Sequence, residues 1–422
     1  MVEDCDLAGG GLFSFQRITG SLVALGLLVG CGAADEQGGA VPNGDPVTAQ
    51  ASAGPLELVV HGKRYLKVSS LSEAQQAELK DPSLWKGEET VDKLAQLLRA
   101  YMAHTQYGEY VEAEPNYKLA RISLGLEGGD RPTRGGQNLP APEVMDKSVT
   151  ADGDQRAKTA FPNTNPSNAY ALYEAGGSGT MVGGRVYSAG HIIYNNAADP
   201  GTDGWKCKDG SARASCAVPG YSRWRFGGVI NTVNGVETQT WASDWAVCGF
   251  VSVPNGWVNL ASNASGTQKA RWDYSVQNLD GCVPAGAGNV GWWVTDQATL
   301  RTRNLFEGGY AQLQPCPALA VGNSTDCPSG VNQLRSNTPG SAYSGGSLFW
   351  TNGGASDPAL VATGGYIQSS KMDITFGQSG GGLIALDGGS WWAVGTTCNG
   401  SANQSSTNYN QMTWEVEGFL YQ

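Results

Sequence analysis

Histidine is the scarcest source of chemistry in this chain: there are three in 422 residues, His61, His104 and His191. Charge is sparse as well, with 15% charged residues and a net charge of −11. No cluster of lysine and arginine stands out, so the electrostatic footprint of a nucleic-acid binder is missing. Metal-type spacing is also missing. None of the nine cysteines stands in a Cys-x-x-Cys pair or beside a histidine that would complete a zinc site. The N-terminal apolar run, Ile18–Gly30, is too short to cross a bilayer as a helix, which takes about 20 residues. No metal or cofactor is implied, so the chemistry has to come from side chains.

What is abundant points to turns and strands. With 60 glycines and 13 tryptophans, the composition suits a turn-rich, exported β protein better than a helical cytosolic one. The length allows two or three domains and a large core.

The chain divides by composition. Residues 1–31 read as a targeting segment, because Ile18–Gly30 runs into Leu28-Val29-Gly30-Cys31. That ending resembles a bacterial lipobox, in which the cysteine is lipidated after cleavage, so Cys31 is the expected lipid anchor. Glu3, Asp4 and Asp6 ahead of the run depart from the positive start of an export signal. An ordinary secretory signal cleaved nearby is the alternative. Either way the protein is expected outside the cytoplasm, on the outer membrane or extracellular.

Residues 32–54 are rich in Gly, Ala, Pro and Gln and read as a tether. Residues 55–150 form a mixed α+β region, either a propeptide that partners the rest of the chain or an accessory domain that stays attached. Within it Leu56–Val68 alternates like two strands around His61-Gly62, and Ser72–Leu79 and Thr90–His104 read as helices. In the second, Val91, Leu94, Leu97, Leu98 and Tyr101 share a face and Thr90 serves as N-cap. Gly128–Pro142 reads as a linker. Residues 151–422 alternate β-branched and aromatic runs with Gly, Asn, Asp and Pro turns, an all-β pattern. Helical periodicity returns only at Trp414–Leu420.

Seven cysteines fall in this last region. Cys207 and Cys216 are close in sequence, as are Cys316 and Cys327, and disulfides fit them better than zinc. Cys248, Cys282 and Cys398 remain, which leaves one thiol without a partner.

Three segments of this region carry the chemistry. Gly177–His191 places a histidine just after an apolar, β-branched strand. Trp272–Val276 places Asp273 at the start of a strand-like run. Asp373–Gly381 places Ser379 in a glycine-flanked turn, where the N–H groups of Gly377 and Ser379 can converge as an oxyanion hole requires. The order His, Asp, Ser is that of a chymotrypsin-type triad, not of subtilisins or α/β-hydrolases.

With these motifs the segment from about residue 155 onward resembles a bacterial trypsin-like serine protease, nearest the glutamyl endopeptidase branch. Gly-Ser-Gly-Thr before the histidine, Asp273-Tyr274-Ser275-Val276 with Gly291-Trp292-Trp293 after it, and Gly377-Gln378-Ser379-Gly380 match that branch in order. The resemblance implies a double six-stranded β-barrel with a C-terminal helix, protein or peptide substrates, and His191, Asp273 and Ser379 as triad. Gln378 stands where trypsins carry an aspartate that pairs with a new N-terminus, so that activation switch is not implied.

Two decoys need weighing. Ser344-Gly345-Gly346 also offers a serine before glycines, but Ala342 stands where the oxyanion glycine belongs. Asp244 also begins a strand-like run and rivals Asp273; the Gly-Trp-Trp that follows Asp273 favours the latter. The resemblance also implies a substrate pocket around Asp373, Thr396 and Thr397. Thr397 stands where glutamyl endopeptidases hold the substrate's carboxylate with a histidine, so glutamate specificity is not expected. A catalytically weak, protease-like surface domain that binds a protein or glycan is the alternative function.

Overall fold

The computed structural model describes residues 54–104, 107–127, 134–135, 156–158, 165–173, 176–196, 204–205, 224–233, 236–243, 249–279, 282–310, 348–352, 359–369, 372, 377–400 and 407–420. Two ten-stranded sheets dominate them, and the helices are short. The described part of residues 151–422 is mostly β-strand, as expected, with short helices at Asn255–Val258, Gly266–Trp272, Gln297–Leu300 and Trp414–Leu420.

The first sheet runs in the order Glu57–Val60, Lys63–Lys67, Gly108–Glu112, Ala100–His104, Phe250–Pro254, Ser275–Asn278, Arg185–Ser188, Ser178–Val182, Tyr170–Tyr173, Trp224–Phe226. Its first four strands come from the N-terminal region. Ala100–His104 pairs antiparallel with Phe250–Pro254, Met102 opposite Ser252, so the N-terminal strands continue the sheet that carries the histidine strand. The second sheet runs Val361–Thr363, Tyr366–Ser369, Thr407–Gln411, Ser390–Gly400, Gly382–Asp387, Asn304–Tyr310, Leu348–Asn352, Arg156–Lys158, and Gly291–Trp293 lies parallel to Ser390–Gly400.

One hydrophobic core includes Tyr65, Leu94 and Leu119 of the N-terminal region, Tyr187 of the first sheet, Tyr274 just before its strand Ser275–Asn278, and Phe419 of the last helix. A second core, with Leu305, Leu383, Val394 and Tyr409, fills the second sheet. The helix Trp414–Leu420 packs closely on Tyr117–Ser123: a Cβ on Gly418 would lie 2.6 Å from Leu119.

Local chemistry explains the N-terminal elements. His61 and Gly62 both take positive φ, +51° and +80°, which lets a two-residue turn join Glu57–Val60 to Lys63–Lys67 with the right twist. Ser72 caps Glu73–Leu79 reciprocally with Gln75, and Thr90 caps Val91–Leu97.

The expected helix Thr90–His104 is corrected: it stops at Leu97, and Ala100–His104 is a strand. Four of that strand's residues are buried, because side chains on both of its faces enter the hydrophobic core. An apolar run of this length satisfies either period. The expected linker 128–142 also contains an ordered piece. Arg134–Gly135 pairs with Trp292 and Trp293, and the Arg134 guanidinium lies 3.8 Å over the Trp293 ring.

Candidate active site

The site lies where the two sheets meet, at the end of Arg185–Ser188. Beyond that strand the chain turns tightly. Ile193 and Tyr194 both donate to the carbonyl of Gly190, at 3.0 and 2.8 Å, and Trp257 packs so close that a Cβ on Gly190 would lie 3.0 Å from its ring. This turn holds His191.

Asp273 grips His191 at two points. Its Oδ1 accepts the backbone N–H of His191 at 2.7 Å, and its Oδ2 lies 2.7 Å from Nδ1. An ionised carboxylate only accepts, so Nδ1 carries the proton and Nε2 keeps its lone pair. The His191 side chain retains 22% exposure against 6% for Asp273. The imidazole is therefore reachable while the carboxylate is shielded.

Asp273 arrives by a route the sequence reading missed. It ends the helix Gly266–Trp272 rather than opening the strand, which begins at Ser275. The available signal was Ser265 with Gln268 three residues on, and in the structure they form a capping box. Trp272 is buried and meets Trp85 edge-on at 6.0 Å. Arg271 pairs with Glu415 at 2.6 Å and Glu89 at 3.0 Å. Both Trp85 and Glu89 belong to the N-terminal region.

Behind Asp273 sits the free thiol of Cys398, 3.8 Å from its backbone carbonyl. Burial pushes that thiol well up, and the Asp273 charge adds to the effect, so it stays neutral. Cys282 is disulfide-bonded.

Ser379 lies in a turn built from glycines. Gly377 and Gly380 take φ of +91° and +82°, a region that favours glycine. A Cβ on Gly380 would fall 2.2 Å from both the Ser178 carbonyl and Ser188 Oγ, and 3.0 Å from the Ala189 nitrogen. The serine turn is thus pressed against the strand end that delivers His191.

Ser178 ties the pieces together. Its N–H donates to the Ser379 carbonyl at 2.7 Å, its hydroxyl donates to the Gly377 carbonyl at 2.8 Å, and the same oxygen accepts the Tyr310 N–H at 2.7 Å. The Gly-Ser-Gly-Thr motif contains Ser178 but does not reveal this role. Among the described residues, the N–H groups of Gly377 and Ser379 donate to no protein acceptor. Both residues are half-exposed.

The two threonines expected in a substrate pocket are buried and turned to protein groups. Thr396 Oγ1 donates to the carbonyls of Gly380 and Gly381 at 2.8 and 3.2 Å, and Thr397 Oγ1 donates to Glu307 at 3.1 Å. Glu307 itself was not singled out from sequence. A carboxylate in the apolar run Asn304–Tyr310 was the signal. Asp373, Asp244, Cys31, Cys207, Cys216, Cys316 and Cys327 lie outside the described residues.

No protein-family model matches the chain, and no curated protein matches it. Among the solved structures similar to the chain at low level are two proteases. One is a Glu endopeptidase in complex with MPD, 16% identical, covering 65% of this chain and 100% of that chain with a TM-score of 0.36. The other is the protease Anisep from Arthrobacter nicotinovorans, 15% identical, covering 61% of this chain and 95% of that chain with a TM-score of 0.33. Likeness at that level decides nothing about this chain; the distances within the site carry more weight.

Proposed function

We propose that this chain is an exported serine endopeptidase of chymotrypsin-like, double-barrel architecture. The observation that carries the reading is the two-point hold of Asp273 on His191, beside a glycine-flanked serine turn that Ser178 ties to the same sheet.

In this reading His191 Nε2 takes the proton of Ser379 Oγ as that oxygen attacks the scissile carbonyl. Asp273, which keeps the proton on Nδ1, stabilises the imidazolium that forms. The N–H groups of Gly377 and Ser379 receive the developing oxyanion, and losing one such donor typically costs about 2.7–4 kcal/mol. The tetrahedral intermediate then collapses, His191 protonates the leaving amine, and a water molecule, activated by the same imidazole, frees the acyl-enzyme.

Specificity follows from what surrounds the turn. No histidine comes after His191 in the chain, and the Thr397 hydroxyl is committed to Glu307. A hydroxyl already bonded to protein cannot replace the charged donor that an imidazolium would offer a buried substrate carboxylate, so on this reading glutamate is not the preferred residue before the cleaved bond.

Fluorophosphonate labelling of the purified protein tests the reading. Ser379 should be modified, and Ser379→Ala and His191→Ala should each abolish both labelling and hydrolysis of a denatured protein while the fold persists. A folded protein whose serine stays unlabelled and which cleaves nothing would refute it.

A further inference from the structure

We propose that Glu307 is a positioning residue for the nucleophile turn, clamping that turn from beneath so that its two oxyanion donors stay aimed. The inference rests on the protease reading and adds to it a residue outside the triad.

Glu307 occupies the middle of the strand Asn304–Tyr310 and is fully buried. A carboxylate is costly there unless strong hydrogen-bond donors meet it. Among the described residues two donors do, and both belong to the serine turn's walls. Gln378 Nε2 donates to Oε2 at 3.0 Å, and Thr397 Oγ1 donates to Oε1 at 3.1 Å.

Gln378 immediately precedes Ser379, so the peptide joining them carries the Ser379 N–H. Holding the Gln378 side chain limits rotation of that peptide. Thr397 lies on the opposite wall, where its carbonyl accepts the Gly380 N–H at 2.7 Å and its own N–H donates to the Gly381 carbonyl at 2.7 Å. One carboxylate therefore grips the residue before the nucleophile and the strand residue bonded to the glycines after it.

The strand also lies close against the turn's backbone. A Cβ on Gly309 would sit 3.0 Å from the Gln378 Cα. Such proximity leaves the turn little room to relax while the clamp is intact.

The full chain should be compared as wild type, Glu307→Gln, Glu307→Ala, Gln378→Ala and the double variant. Readouts are kcat and KM on a fluorogenic peptide, affinity for a peptide boronate, and hydrogen exchange of the amides at 377–381. Loss of the clamp in Glu307→Ala should lower kcat about 100-fold, the scale of a misplaced reacting group, with KM within about threefold. Boronate affinity should fall in parallel and exchange at the turn should quicken. Glu307→Gln, which keeps one acceptor for Gln378, should stay within about tenfold of wild type, and the double variant should be no worse than the poorer single.

A folded Glu307→Ala with wild-type kcat, a change in KM alone, or multiplicative losses in the double variant would overturn the proposal. If Glu307→Ala fails to fold, unchanged kcat in both Gln378→Ala and Glu307→Gln overturns it as well. If wild type neither cleaves nor labels while exchange at the turn still quickens in Glu307→Ala, the clamp stands and the protease reading falls.

Discussion

Replacing Asp273 by asparagine changes one atom type and almost no volume, yet the geometry around His191 makes it a severe change. The carboxylate now accepts twice, from the His191 backbone N–H through Oδ1 and from Nδ1–H through Oδ2, both at 2.7 Å. An amide has one acceptor and one NH₂ group. If its oxygen keeps the backbone N–H, the NH₂ faces Nδ1 and Nδ1 must accept. The proton then moves to Nε2, where the proposed mechanism needs a lone pair to receive the Ser379 proton. The alternative flip keeps the tautomer but sets NH₂ against the backbone N–H, two donors within a buried site, which costs about 1–3 kcal/mol. In chymotrypsin-type sites the wrong tautomer lowers kcat about 10⁴-fold, equivalent to about 5.4 kcal/mol at the transition state. The same loss is expected here, with KM little changed and the melting temperature shifted by only a few degrees. Peptide hydrolysis gives the rate, and ¹⁵N imidazole shifts of His191, distinguishable from the two other histidines in the chain, give the tautomer. An Asp273→Asn protein that keeps kcat within tenfold, or that loses activity with the Nδ1–H tautomer intact, would refute the argument.

How much of this was legible beforehand differs by residue. His191 could be named because the chain offers no other imidazole beyond residue 104. Asp273 and Ser379 could be named because short motifs surround them, although the helix that delivers Asp273 went unread. Seven residues make too few turns for periodicity to register, and only the Ser265–Gln268 cap announced it. Ala100–His104 failed for the opposite reason: being buried on both faces, it shows no alternation, and its residues continue the apolar spacing of Val91–Leu97. Ser178 and Glu307 were hidden because their roles are made by partners far along the chain. Ser178 acts on Gly377 and Ser379, and Glu307 joins Gln378 to Thr397; no local pattern records such closures.

Three further outcomes are expected. The proposed lipid anchor predicts that Cys31→Ala moves the protein from the detergent phase to the aqueous phase in a partitioning assay, and continued detergent partitioning would exclude it. Ser178→Ala leaves the Gly377 carbonyl and the Tyr310 N–H without their shared partner, so denaturant titration should find it about 1–3 kcal/mol less stable, and kcat should fall more than KM rises. Cleavage between residues 136 and 155 should yield two chains that stay together and remain active. The segment before the cut is built into the sheet that carries the His191 strand: Ala100–His104 pairs with Phe250–Pro254 over five residues. The Asn255 N–H donates to the Arg99 carbonyl at 2.8 Å, and the Asn259 side chain donates to the Leu79 carbonyl at 2.7 Å. Trp85 and Glu89 brace the helix that ends at Asp273. Stripping the segment away would expose that sheet edge and loosen Asp273, the proposed triad acid, so native mass spectrometry should find both fragments in one complex. A fragment 151–422 isolated alone, with the melting temperature and kcat of the full chain, would make residues 55–127 dispensable and refute the prediction.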